Sequence, residues 1–152
     1  MSRYLFLDSG PLGLVTQPKI SAEVLAINRW LLDCLSIGDT VLVPAIIYYE
    51  VRRELLRAQK AAGLARLDAF VEIDSSRYLA LTDGALRFAA ELWARARQQG
   101  RPTSSAHGLD IDVILAAQAL TFGGGAEIVV VTTNPRHLGQ FVKACLWNDL
   151  EA

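Results

Sequence analysis

Four short runs rich in β-branched and aromatic residues, Tyr4–Leu7, Thr40–Val43, Tyr78–Leu81 and Ile128–Val131, alternate along the chain with longer segments whose apolar residues recur at helical spacing. Strands that alternate with helices are joined by crossovers, and crossovers build a mainly parallel sheet covered by helices on both faces. The predicted fold class is therefore α/β, a three-layer α/β/α sandwich around four to five strands. The fifth strand would come from an edge segment within Phe141–Trp147. Ligands of such sheets gather at the C-terminal ends of the strands, so residues that follow a strand directly carry the functional reading.

The local signals agree with this order. Tyr4–Leu7 stops at the turn residues Asp8-Ser9-Gly10-Pro11. Ser21 caps a helix to Ile37 with Val24, Ile27, Leu31 and Leu35 on one face, and Gly38 ends it. Pro44 suits a first helical turn, and Ala45–Gln59 follows with Ile47, Val51, Leu55 and Ala58 on its apolar face. Gly63 reads as a break before a helix over Leu64–Ile73, and a long helix covers Gly84–Gln99. The loop Arg101–Gly108 then delivers Asp110 and Asp112 to the opening of a helix that is apolar nearly all round and ends at Gly123-Gly124-Gly125. No repeat or linker divides the 152 residues, which read as one domain.

A chain of this length, 52% hydrophobic and 20% charged, buries enough surface to fold without a disulfide or a structural metal. Its two cysteines, Cys34 and Cys145, lack the histidine spacing of a zinc site, and no charged-then-apolar leader precedes the first strand, so a reduced, cytoplasmic setting is expected. Charged residues interrupt every apolar stretch before the roughly 18 residues that a membrane span needs. The net charge of −1 provides no overall field for a polyanion. Nucleic acid would have to be held locally, by clusters such as Arg52, Arg53 and Arg57 or Arg95, Arg97 and Arg101, although such clusters also occur as solvated helix faces.

The acids stand where apolar elements meet turns. Asp8 follows the first strand, and capping of its own turn is a fair competitor to a functional role. Asp110 and Asp112 are read as a pair at a helix mouth, where their mutual repulsion would be relieved by a cation. Glu50 and Glu54 lie one turn apart, and spacing alone does not choose between them; Glu–Arg surface pairs explain both equally well. Thr132-Thr133-Asn134 follows the last long strand and suits either an oriented water or phosphate, or a helix cap. His107 and His137 are read as ordinary histidines. The glycine run at 123–125 follows a helix and is no phosphate loop, and neither a dinucleotide fingerprint nor a Gly-x-Ser-x-Gly elbow is present.

Four segments together, Leu7-Asp8-Ser9-Gly10-Pro11-Leu12, Val43-Pro44-Ala45-Ile46-Ile47-Tyr48-Tyr49-Glu50-Val51-Arg52-Arg53, Asp110-Ile111-Asp112-Val113-Ile114-Leu115-Ala116-Ala117 and Val131-Thr132-Thr133-Asn134, resemble the PIN-domain family, most closely the small ribonuclease toxins of the VapC type. The resemblance implies a Mg²⁺- or Mn²⁺-dependent endoribonuclease that acts on RNA, forms a homodimer and is inhibited by a cognate antitoxin. It makes Asp8, Glu50 and Asp112 the first three acids of the site and so selects Glu50 over Glu54. Asn134 stands where many members keep a fourth acid and would hold a second cation less well, with Asp110 restoring the charge. Ser9 and Thr132 would support the ligands, and Arg52, Arg53, Arg57 and Arg136 would meet RNA phosphates. Hard oxygen donors suit these ions, and the expected chemistry is in-line hydrolysis that leaves 5′-phosphate ends. The alternative is a catalytically inactive PIN-like subunit that binds nucleic acid or regulates. A phosphoacceptor receiver domain would need paired acids after the first strand and a lysine after the last, and has neither.

Overall fold

The computed structural model describes residues 2–100, 105–123, 125 and 127–152. Among them, strand β1 (Arg3–Leu7) occupies the centre of a five-stranded, all-parallel sheet with β2 (Thr40–Pro44), β3 (Tyr78–Leu79), β4 (Glu127–Val131) and β5 (Ala144–Cys145), in the order β3-β2-β1-β4-β5. Successive side chains of a strand point to opposite faces. Leu5, Phe6 and Leu7 are nevertheless all fully buried, as are Val129, Val130 and Val131, so helices cover the sheet on both sides.

The chain leaves β1 toward β2 on one side and returns to place β4 on the other. The order therefore reverses between β1 and β4, and the C-terminal ends of these two strands open the crevice where ligands of such sheets bind. Leu7 is in register with Val131, and the Asp8 amide donates to the Val131 carbonyl at 2.9 Å. Asp8 is thus fixed at the mouth of that crevice by the pairing of β1 with β4.

The helices are α1 (Ser9–Val15), α2 (Ala22–Ser36), α3 (Ala45–Arg57), α4 (Ala61–Glu72), α5 (Asp83–Gln98), α6 (Ala106–Leu120) and α7 (Pro135–Leu138), with a final 3₁₀ turn at Trp147–Asp149. Ser21 and Thr82 cap α2 and α5 by accepting from Val24 N and Ala85 N. Three elements differ from the sequence reading. The segment after Asp8 is a helix and not a turn, because Asp8 N-caps it and Pro11 is tolerated within a first turn, where the amide has no helical partner. Gly63 lies inside α4. A Cβ there would come within 2.8 Å of Leu55 Cδ2, so the glycine permits close packing of α4 on α3 and breaks nothing. The expected opening of α6 at Asp112 moves back to Ala106, with Ser105 as its cap; residues 101–104 of the expected loop, and Gly124 of the glycine run, lie outside the described residues.

The start of α3 shows how the core places the site. Pro44 has no side chain to cap the helix, and the buried Gln118 of α6 does so instead. Its Oε1 accepts from the Ile46 amide at 3.3 Å, while its Nε2 donates to the Leu79 carbonyl at 3.1 Å. One side chain thereby ties α3, β3 and α6 together. Replacing it with a shape-matched apolar residue leaves both backbone groups without this partner, so Gln118→Leu is expected to cost about 2 kcal/mol, read as a lowered urea midpoint; an unchanged midpoint would contradict the assignment. At its other end α3 closes with Gln59 at φ 56°, Gln59 N bonding Leu56 O and Lys60 N bonding Leu55 O. This is a Schellman closure, and it fixes the point at which Lys60 leaves the helix.

Candidate active site at the end of the central strands

Asp8 is held from two sides. Its Oδ1 accepts from the Ser9 amide at 2.8 Å, and its Oδ2 accepts from the Thr132 hydroxyl at 2.7 Å. Thr132, fully buried at the end of β4, in turn accepts from the Asn134 amide at 3.0 Å. The relay Asn134 N–H to Thr132 Oγ1–H to Asp8 orients the carboxylate across the β1–β4 crevice. Gly10 allows this closure, since a Cβ there would come within 2.7 Å of Thr133 Cγ2. Burial pushes the Asp8 carboxyl above the ordinary aspartate value, opposed by its bonds to Thr132 and Ser9.

Glu50 reaches the same place from α3, which packs on α1. It is half-buried, and its carboxyl is likewise raised, first by burial and also by the negative charge of Asp8; a hydrogen bond from the Ser9 side chain and the charge of Arg53 act the other way. Ser9 therefore serves both acids, Asp8 through its amide and Glu50 through its side chain. Glu54, one turn on, is exposed and paired with Arg57 at 2.6 Å. Of the two, Glu50 is the one that stands beside Asp8 and Ser9.

The other expected residues differ in exposure and in partners. Residues two apart on a helix do not share a face. Asp110 is exposed and lines a surface groove with Leu86, Ala89 and Trp93 of α5, whereas Asp112 is half-buried on the second turn of α6. The two acids thus do not form the pair that their position at a helix mouth suggested. Asn134 is exposed, with its Nδ2 3.1 Å from His137 Nδ1. Arg52 donates to Asp68 at 2.7 Å and to the Tyr48 hydroxyl at 3.0 Å, fastening α3 to α4. Arg53 and Arg57 line a cavity of about 560 Å³ with Ser9, Glu50, Glu54 and Lys60. Lys60 was missed in the sequence, although it stands three residues after Arg57 and continues the basic run. Arg136 is exposed on α7, two residues beyond Asn134.

Among the described residues, no three or more His, Cys, Asp or Glu side chains stand as a group able to hold a metal ion. The fold brings together the hard carboxylates Asp8 and Glu50, partly desolvated and mutually repelling. Mg²⁺ is commonly bound through one or two carboxylates, its remaining positions being filled by water and substrate phosphate, and the pair fits that donor set.

No protein-family model matches the chain, and no curated protein matches it in sequence. Solved structures do match it in fold. A chain of VapBC2 from Rickettsia felis, bound to a DNA fragment from their promoter, superposes with a TM-score of 0.68 at 15% identity, over 95% of this chain and 98% of that one. A chain of FitAcB from Neisseria gonorrhoeae gives 0.69 at 17%, over 96% and 99%. A chain of DNA-bound VapBC from Salmonella typhimurium gives 0.62 at 21%, over 97% and 99%. No helix among the described residues is long and apolar enough to cross a membrane. From end to end, the chain has the PIN-like α/β/α fold found in these VapBC and FitAB complexes.

Proposed function

We propose that this protein is a Mg²⁺- or Mn²⁺-dependent endoribonuclease, the toxin of a toxin–antitoxin pair. The observation that carries the reading is the Asp8–Glu50 pair, partly buried at the crevice between β1 and β4 and oriented by Thr132 and Ser9. The VapBC and FitAB complexes that share the fold support a cognate antitoxin as partner, and a homodimer belongs to the same reading.

In this scheme Asp8 and Glu50 hold the cation, with Asp112 and Asn134 completing its surroundings. The bound ion supplies Lewis acidity, favouring ionisation of water and neutralising charge on the phosphodiester. Thr132 fixes the direction of Asp8, and Ser9 keeps Glu50 close to it. Glu50, beside Asp8, would orient the attacking water. The new bond joins the water oxygen to phosphorus, the bond to the 3′ oxygen breaks, and the products carry a 5′-phosphate and a 3′-hydroxyl. Arg53, Arg57 and Arg136 meet the flanking phosphates; Arg52, engaged with Asp68, contributes less.

The uncharged Asn134 favours a second reading, a PIN-like subunit that binds nucleic acid without cleaving it. Incubation with single-stranded RNA separates the two. Cleavage that requires Mn²⁺, stops with EDTA and leaves 5′-phosphate ends supports the enzyme; retained binding without cleavage supports the subunit. In either case Arg53→Gln with Arg57→Gln is expected to weaken RNA binding and to lower the slope of log affinity against log salt by roughly 1.5, about 0.7 for each phosphate of a single strand that is no longer neutralised. An unchanged slope would remove these arginines from the interface.

A further inference from the structure

The sequence Tyr48-Tyr49-Glu50-Val51-Arg52-Arg53 places two tyrosine–arginine pairs one helical turn apart on α3, and the fold treats them differently. Tyr48 and Arg52 share Asp68, and the Tyr48 ring packs edge-on to Tyr78 at 5.6 Å. That pair fastens α3 to its neighbours. The second pair is turned outward. Tyr49 is 54% exposed, the Arg53 guanidinium lies 5.1 Å from its ring centroid, and among the described residues Arg53 makes no ion pair. Arg53 also lines the cavity that Glu50 and Ser9 enter, together with Arg57 and Lys60.

We propose that Tyr49 and Arg53 form a stacking platform for an unpaired base of single-stranded RNA, next to the phosphate that lies over Asp8 and Glu50; this rests on the ribonuclease reading above. Bases of single strands stack on aromatic rings and on guanidinium planes, whereas paired bases present no free face. Arg53 stands three residues beyond Glu50 and lines the same cavity, so a base held on the Tyr49–Arg53 pair places the strand beside the acid pair. The cationic side chains of the cavity, Arg53, Arg57 and Lys60, outnumber its carboxylates Glu50 and Glu54, and Glu50 is the one assigned to the cation. Phosphate is therefore admitted at the basic rim while the base is held by the ring. Stacking of this kind tolerates any base, which makes the platform a determinant of strandedness and position and not of sequence.

The test is binding of a single-stranded RNA decamer containing 2-aminopurine to the full chain in EDTA, so that no cleavage intervenes. Intact protein is expected to bind and to quench the probe. Tyr49→Ala, with an unchanged melting temperature, is expected to bind on the order of tenfold more weakly, to lose the quench and to keep the salt slope, whereas Tyr49→Phe retains affinity and quench. Equal affinity and quench in Tyr49→Ala would overturn the platform while leaving the ribonuclease reading in place; loss in Tyr49→Phe as well would assign the effect to the hydroxyl and overturn stacking. Intact protein that binds no RNA in EDTA would overturn the platform. Tyr49→Ala that keeps RNA binding and instead loses the antitoxin would give the surface to protein docking and overturn the proposal.

Discussion

Asp8→Asn is expected to lower metal-dependent RNA hydrolysis by on the order of 10³-fold or more while leaving the metal-free protein as stable as before, or more so. Both halves follow from the same environment. The carboxylate sits in the crevice between β1 and β4, where desolvation raises its proton affinity and its charge in turn raises that of Glu50. Removing the charge relieves both costs. The amide oxygen can still accept from the Ser9 amide, and the Thr132 hydroxyl, which now donates to Asp8 Oδ2, can turn to accept instead. Activity falls because the variant loses a hard anionic ligand. A variant that melts far below the parent would mean that Asp8 acts chiefly as the cap of α1, the reading that its local sequence also allows.

Asp39 is expected to behave in the opposite way, with Asp39→Ala costing about 3 kcal/mol and touching no chemistry. Gly38, at φ 96°, turns the chain so that the Asp39 side chain is buried at the N-terminal end of the central strands, 1% exposed. It accepts from the Arg3 amide at 3.0 Å, and its Oδ2 accepts from Arg3 Nη2 at 2.6 Å. Arg3 also donates to the Glu151 carbonyl at 2.8 Å, while the Trp30 indole donates to the Leu150 carbonyl at 2.8 Å. The pair therefore joins the start of β1, the entry to β2 and the end of the chain, and removal of Asp39 leaves a mostly buried guanidinium without its partner. Burial pushes the Asp39 carboxyl up, but the hydrogen bonds and charge of Arg3 outweigh this and hold it below the usual aspartate value. A lowered folded-state value means that the stability is fully present above the unfolded value of about 3.9 and is lost as pH falls through the lower folded one. Denaturant midpoints measured from pH 6 downward should fall more steeply for the parent than for Asp39→Asn below about pH 4; parallel curves would show that the pair contributes no linkage.

The legible parts of this protein are those decided over short distances. Val129, Val130 and Val131 form a continuous apolar run, and that run alone marks a strand covered on both faces. Ser21 announces a helix start that the structure keeps within a residue. Glu50 could be preferred over Glu54 only through the family resemblance, because both lie on one side of α3; its nearness to Asp8 and Ser9 depends on α1, a helix whose Gly-Pro start reads as a turn. Asp110 resembles a site residue only through its proximity to Asp112 in sequence, and the earlier start of α6 puts the two on different faces. Gln118 gives no signal, since an isolated glutamine in an apolar helix shows its purpose only when Ile46 and Leu79 arrive beside it from distant parts of the chain.

The central claim, that Asp8 and Glu50 form the core of a divalent cation site, is tested most directly by titrating Mn²⁺ calorimetrically into the intact protein and into Asp8→Asn and Glu50→Gln. Saturable binding by the parent, abolished or greatly weakened in both variants, is the predicted result. An intact protein that takes up no Mn²⁺, or variants that bind it as the parent does, would contradict the claim and leave the pair without its assigned role.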